Sequence, residues 1–113
     1  MRWTVIYYTD NKGVKPVKKW LETLEESASS KLFRNLVLLE TLGLGIREPY
    51  VKYLGNKLYE VRAKDHKGIY RVIYFASRGK KFVLLHGFVK KTEKTPRKEL
   101  AIAKERMKEF QDE

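Results

Sequence analysis

The chain has 113 residues and a formal net charge of +11, from 25 Lys and Arg against 14 Asp and Glu. This length fits one domain, residues 1–113, and a 42% apolar composition with only 7 Gly and 3 Pro excludes disordered and low-complexity proteins. Cysteine is absent, which excludes disulfide scaffolds, zinc knuckles and cysteine nucleophiles. Apolar runs are far shorter than the about 20 residues that span a bilayer, and the first residues lack a signal-peptide pattern. We therefore expect a cytoplasmic protein without membrane contact.

The positive charge is concentrated in the second half of the chain. Residues 51–113 contain 17 basic and 8 acidic side chains, whereas residues 1–50 contain 8 and 6. In the densest part, residues 78–98, eight cations accompany one anion, Glu93. A solvated face kept basic for solubility is one interpretation. Because clustered cations repel one another and a polyanion relieves that repulsion, we favour nucleic-acid binding.

The first half of the chain predicts one strand and two helices. Residues 2–9 are aromatic and β-branched, which is typical of a strand. A helix is expected from Pro16, and a second carries a helical apolar repeat over residues 32–42. The serine-rich residues 27–30 are expected to separate the two helices and to cap the second, and Gly43 is expected to end it.

The second half predicts a sheet followed by a last helix. Residues 57–63, 69–76 and 81–89 read as strands, and the short turns between them predict an antiparallel meander. Thr95-Pro96 is expected to cap and start the last helix, whose apolar residues Leu100, Ala103, Met107 and Phe110 form a narrow stripe. The predicted fold is α+β in the order β-α-α-β-β-β-α, with an antiparallel sheet packed on a helical hairpin.

Three motifs resemble the HigB-like, phage-derived branch of the RelE/ParE toxin superfamily. They are Leu58-Tyr59-Glu60-Val61-Arg62, the strand Tyr70–Phe75, and the segment Val83–Pro96, which contains LLHGFVKKTEKTP. The resemblance implies a toxin of a type II toxin–antitoxin pair that cleaves mRNA, usually on the ribosome, and so inhibits translation. It also implies a small antitoxin partner with a helix-turn-helix domain. No cofactor is expected.

RNA cleavage by the 2′-hydroxyl requires a proton acceptor, charge stabilisation at phosphorus and protonation of the leaving 5′-oxygen. The sequence has few acids near the basic cluster that could hold magnesium, so cationic side chains are the candidate catalytic groups. Arg71 lies mid-strand, where arginine is unusual, and the resemblance places a phosphate-binding arginine on this strand. A charge on the solvent face of the sheet is the alternative. For Arg62, an ion pair with Glu60 two residues earlier is a serious rival to RNA binding.

His86 has two interpretations of equal weight. Strand alternation places it on one face with Phe82, Leu84, Phe88 and Lys90. A single histidine among apolar residues is usually a hydrogen-bonded core residue. A pKa near 6.5 would also suit a general acid or base.

The lysines near the end of the last predicted strand are candidates for proton transfer and RNA contact. Repulsion among crowded lysines favours loss of a proton from one of them, so Lys91 is a candidate proton acceptor. The alternative is a patch that contacts phosphates without a chemical role. The expected RNA-binding residues are Arg62, Phe88, Lys90, Lys94, Arg97 and Lys98.

Two other functions remain open at this point. A ParE-like toxin would inhibit DNA gyrase, and a non-catalytic module would only bind nucleic acid. Fold alone does not separate these activities. The two histidines have no spacing typical of a metal site, so no metal is expected.

Overall fold

A five-stranded mixed sheet lies between two layers of helices in the computed structural model, which describes residues 2–111. The strands are β1 (Thr4–Tyr7), β2 (Val51–Gly55), β3 (Leu58–Asp65), β4 (Gly68–Ser77) and β5 (Lys81–Lys90). The helices are α1 (Pro16–Glu22), α2 (Glu26–Leu42) and α3 (Arg97–Gln111), with a short 3-10 helix at Gly43–Gly45. The sheet order is β1-β5-β4-β3-β2, and only β1 runs parallel to its neighbour. The α+β architecture is compatible with a RelE-like fold.

The two faces of the sheet bury separate apolar clusters. Helices α1 and α2 cover one face, where Val17 and Leu32 pack with Val72. Helix α3 covers the other face, where Ala103 packs with Ile73 and the stripe Leu100, Met107 and Phe110 lies against the cluster. The stripe predicted for the last helix is therefore confirmed. No helix within residues 2–111 combines the length and the apolarity needed to cross a membrane.

The sequence predicted that the serine-rich segment would separate the first two helices, and this prediction is wrong. Residues 27–30 lie inside α2, which begins at Glu26, and the chain breaks at Thr23–Glu25 instead. Ala28 is buried in the core, and the Ser29 hydroxyl donates to the Glu26 carbonyl of the preceding turn. Burial of Ala28 thus outweighs the weak helix propensity of its serine neighbours. Gly43 ends α2 as expected, with a φ of 58°.

The sheet has one strand more than predicted. Strand β2 was missed, and it forms a hairpin with β3 through Asn56 and Lys57, whose φ values are 50° and 70°. Two successive residues with positive φ form a tight hairpin turn that suits the twist of the sheet. Asparagine tolerates this conformation but lysine rarely adopts it, so the turn signal in the sequence is weak.

A bulge in β5 overturns the predicted alternation around His86. Ile73 of β4 pairs with His86 and Tyr74 pairs with Leu84, so Leu85 is the extra residue. Phe82 and Leu84 therefore face α1 and α2, whereas His86 and Phe88 lie on the α3 face.

Thr95 does not cap the last helix, although the sequence predicted that it would. Its hydroxyl donates to the buried Glu60, and the first helical amides donate to the Pro96 carbonyl.

Candidate functional site

Two arginines face each other on the α3 side of the sheet. Arg62 of β3 is the register partner of Arg71 of β4, which is in turn opposite Phe88 of β5. Like charges placed directly opposite one another destabilise a sheet. The carboxylate of Glu60 offsets this repulsion, since its Oε1 atom lies 2.9 Å from Arg62 Nε and 3.3 Å from Arg71 Nε. The ion pair between Arg62 and Glu60, which the sequence analysis weighed as the alternative to RNA binding, is present.

Arg71 is completely buried in a polar network. It and Glu60 are both 0% exposed. One terminal nitrogen, Nη2, donates to the Thr92 carbonyl, and Nη1 lies 3.4 Å from the Thr95 hydroxyl. The guanidinium carbon lies 5.9 Å from the centre of the Phe88 ring, a cation–π distance. Burial lowers the pKa of Arg71 from its ordinary value, Glu60 raises it and Arg62 lowers it. The guanidinium nevertheless stays charged at neutral pH.

Residues 91–96, which we call the covering loop, close this network from the outside. Glu93 accepts two hydrogen bonds from Arg62, one at its carboxylate and one at its backbone carbonyl, both at 3.1 Å. The Thr92 carbonyl binds Arg71 in the same way. The terminal nitrogens of both arginines therefore donate hydrogen bonds to oxygen atoms of the loop. These nitrogens are the atoms with which arginine binds phosphate. In this arrangement Arg71 has no exposed surface to offer to RNA.

His86 forms a dyad with a carboxylate that sequence reasoning missed. Its Nε2 atom lies 2.8 Å from Oε1 of Glu99, the third residue of α3, and Arg106 Nη1 lies 3.4 Å from its Nδ1. The ring stacks on Phe88 with centroids 5.5 Å apart. Burial lowers the pKa of His86, against the raising effect of Glu99. Both ring nitrogens are occupied, so His86 ties α3 to the sheet in this conformation.

Five of the predicted RNA-contact and catalytic cations lie on the surface around the covering loop. They are Lys90, Lys91, Lys94, Arg97 and Lys98. None of them forms an ion pair within residues 2–111. The covering loop and the residues that flank it therefore carry exposed positive charge. The roles predicted for these residues, including proton transfer by Lys91, remain predictions.

The sequence signals for this site were uneven. Arg62, Arg71, Phe88 and His86 were singled out, and the fold brings all four together. Glu99, Glu93 and Arg106 were not assigned roles, and Thr95 was expected only to cap the last helix, because the partners of these residues lie 13 to 35 residues away along the chain. Among residues 2–111 there is no group of three or more His, Asp or Glu that could hold a metal ion.

Comparison with known proteins gives a family but no characterised relative. The family model described as "Phage derived protein Gp49-like" matches residues 19–108. The chain therefore belongs to the phage-derived Gp49-like family, which is associated with RelE/HigB-type toxins. No curated protein matches the chain.

Proposed function

We propose that this protein is the toxin of a type II toxin–antitoxin pair and cleaves mRNA on the ribosome without a metal ion. The observation that carries the proposal is the arginine pair, Arg62 and Arg71, held opposite each other beside Phe88 under a loop that carries exposed cations. Each guanidinium group can donate two parallel hydrogen bonds to phosphate oxygens in fixed geometry. The toxin association of the family and the HigB-like motifs add support.

The proposed reaction is an attack by the 2′-oxygen on the neighbouring phosphorus. The 2′-O–P bond forms, the P–O5′ bond breaks, and the products carry a 2′,3′-cyclic phosphate and a 5′-hydroxyl. Arg71 and Arg62 would stabilise the additional negative charge on the phosphoryl oxygens in the transition state. Lys91 would accept the 2′-hydroxyl proton, and a protonated neighbouring cation or His86 would supply a proton to the 5′-oxygen.

This mechanism requires the covering loop to move. Phosphate oxygens would replace the Thr92 carbonyl on Arg71 and the Glu93 oxygens on Arg62, so no charge would be left unpaired during the exchange. The exposed lysines of the loop would then approach the bound RNA.

The direct test is cleavage by purified protein of mRNA on programmed ribosomes in EDTA, with mapping of the 5′ ends. We expect cleavage with 5′-hydroxyl products. If about six cations neutralise phosphates, ribosome affinity should fall about 10³-fold between 50 and 200 mM salt. A metal requirement or 5′-phosphate ends would contradict the mechanism.

The proposed partner is an antitoxin with a helix-turn-helix domain, encoded beside this gene. Expression of this chain alone should arrest growth, and co-expression of the neighbouring gene should restore it. A chain that is harmless at high level and binds no neighbouring product would contradict the toxin assignment.

A non-catalytic nucleic-acid-binding module is the second candidate. The observations that favour it are the complete burial of Arg71 and the occupied ring nitrogens of His86. In that case RNA should bind with the same salt dependence, but no new 5′ ends should appear on ribosomes or on free RNA.

A further inference from the structure

A cleft opens beside the arginine pair, where β2 stops and β3 continues. Strand β2 pairs with β3 only as far as Val51 and Val61, so residues 62–65 have no partner strand on that side. The backbone amide of Arg62 donates to the Tyr50 carbonyl at 2.9 Å. The cleft has a volume of about 420 Å³ and includes Tyr50, Lys52, Arg62, Lys64 and Ile69 in its lining.

The open edge of β3 is already closed by side chains of α2. The Asn35 amide nitrogen donates to the Arg62 carbonyl at 2.6 Å, and Lys31 Nζ lies 3.3 Å from the Lys64 carbonyl. A peptide strand that added to this edge would have to displace both contacts. The cleft is therefore poorly suited to strand addition and suited to a ligand that binds through side chains.

The lining combines an exposed aromatic ring with cations. Tyr50 is 44% exposed, and Ile69 supplies a buried apolar surface nearby. Lys52, Arg62 and Lys64 provide positive charge, which exceeds that of the two carboxylates in the lining, Glu48 and Glu93. Aromatic stacking beside a positively charged backbone track is the usual way in which proteins bind single-stranded nucleic acid. The volume lies within the range of small-ligand sites.

The cleft is continuous with the arginine pair, because Arg62 and Glu93 line it as well. Glu93 holds Arg62 and at the same time forms part of the wall. Movement of the covering loop would therefore free Arg62 for a phosphate and widen the cleft in one step.

We propose that this cleft binds one nucleotide of single-stranded RNA, with its base stacked on Tyr50 and its flanking phosphate on Lys52 and Lys64. The nucleotide would be next to the phosphate that Arg62 contacts. This inference rests on the proposed function for its ligand, and it assigns to Tyr50 a role in substrate preference.

The test measures binding of a 2′-O-methyl RNA tetranucleotide, which cannot be cleaved through the 2′-oxygen, by fluorescence anisotropy at fixed salt. Tyr50→Ala should weaken binding about tenfold, whereas Tyr50→Phe, which keeps the ring, should bind like the wild type. Tyr53→Ala is the matched control. Tyr53 is also an exposed tyrosine, at 57%, but its ring contacts Tyr59 on the α1–α2 side of the sheet.

Cleavage maps on ribosomes separate this inference from the proposed function. Binding that depends on the Tyr50 ring supports the cleft even if no cleavage is ever found. The proposed role of the cleft would be overturned if Tyr50→Ala cleaved at the same sites and rate as the wild type, or if it bound the tetranucleotide equally well. Either result would leave the proposed nuclease activity standing. No detectable tetranucleotide binding by the wild type would also overturn it.

Discussion

Arg62 and Arg71 contact the same carboxylate oxygen, Oε1 of Glu60, at 2.9 and 3.3 Å, from positions directly opposite each other in the β3–β4 ladder. One buried anion therefore serves two cations. The second counter-ion of Arg62 is Glu93 on the covering loop, whose side chain is 72% exposed. Glu60 belongs to the sheet and stays with Arg62, whereas Glu93 is exposed on the loop. A phosphate group that replaced Glu93 would therefore not leave Arg62 unpaired.

Glu93→Gln should increase RNA affinity about two- to fivefold, because the substitution removes a competing charge from Arg62 and keeps the backbone contact. Exposed ion pairs contribute up to about 1 kcal/mol, which sets this size. Fluorescence anisotropy with the uncleavable tetranucleotide measures it. Glu105→Gln, an exposed acid on α3, changes the net charge equally. An equal gain in both variants would assign the effect to net charge alone.

Glu60 and Arg71 should show strong energetic coupling. Glu60→Gln leaves Arg71 as a buried charge without its carboxylate and should lower the free energy of unfolding by about 3–5 kcal/mol. Arg71→Met should cost less, because Arg62 still neutralises Glu60. The double variant should lose less than the sum of the two by about 1–3 kcal/mol. Urea unfolding at pH 7 provides the measurement, and additive losses would mean that the pair does not act as a unit.

Arg71→Lys should lower the cleavage rate about 10²-fold or more, with little loss of ribosome affinity. Lysine keeps the charge but cannot provide the planar two-point contact that would stabilise the transition state. Single-turnover cleavage and ribosome sedimentation measure the two effects. Lys80→Asn is the control, at a turn position with a φ of 56° that asparagine tolerates, and it should cleave normally. Full activity of Arg71→Lys would contradict the proposed role of the Arg71 guanidinium in stabilising the transition state.

Protonation of His86 should destabilise the fold as the pH falls below about 6.5. Burial lowers the folded-state pKa below 6.5, so between the two values the unfolded chain binds more protons and the free energy of unfolding rises with pH. The loss begins near pH 6.5, levels off below the folded-state pKa, and has a slope of at most about 1.4 kcal/mol per pH unit. Above pH 6.5 the contribution is fully present.

Urea unfolding between pH 5.5 and 7.5 checks this dependence. Glu99 and Arg106 are the charged groups that face the His86 ring, and both come from α3. His86→Gln should flatten the profile, whereas His66→Gln, in an exposed turn, should preserve it. A profile that His86→Gln leaves unchanged would contradict this assignment.

Gly87→Ala should destabilise the fold by about 1–3 kcal/mol through overpacking. A Cβ atom at Gly87 would lie 2.2 Å from Cε3 and 2.7 Å from Cζ3 of the Trp20 ring. Gly45→Ala is the matched control, since its Cβ meets nothing within 4 Å. Thermal unfolding of the two variants should differ by several degrees. Equal melting temperatures of Gly87→Ala and Gly45→Ala would show that the Trp20 ring can move aside without loss of stability.

Local pattern was enough to predict most elements and the chemistry-bearing side chains. The apolar repeat of α2 and its stop at Gly43, the β4–β5 hairpin and the stripe of α3 all arise from contacts within a few residues. An arginine in the middle of an apolar strand is likewise visible without a structure, because its charge conflicts with its surroundings. Such signals are carried by residue type and short spacing.

Only the tertiary structure decided how those side chains are used. The bulge at Leu85 turns His86 toward Glu99, the burial of Ala28 extends α2 through a serine cluster, and the covering loop removes Arg71 from solvent. Each outcome depends on partners far apart in the chain. The free energy of burying a charge or a methyl group is set by those partners, so residue order alone does not reveal it.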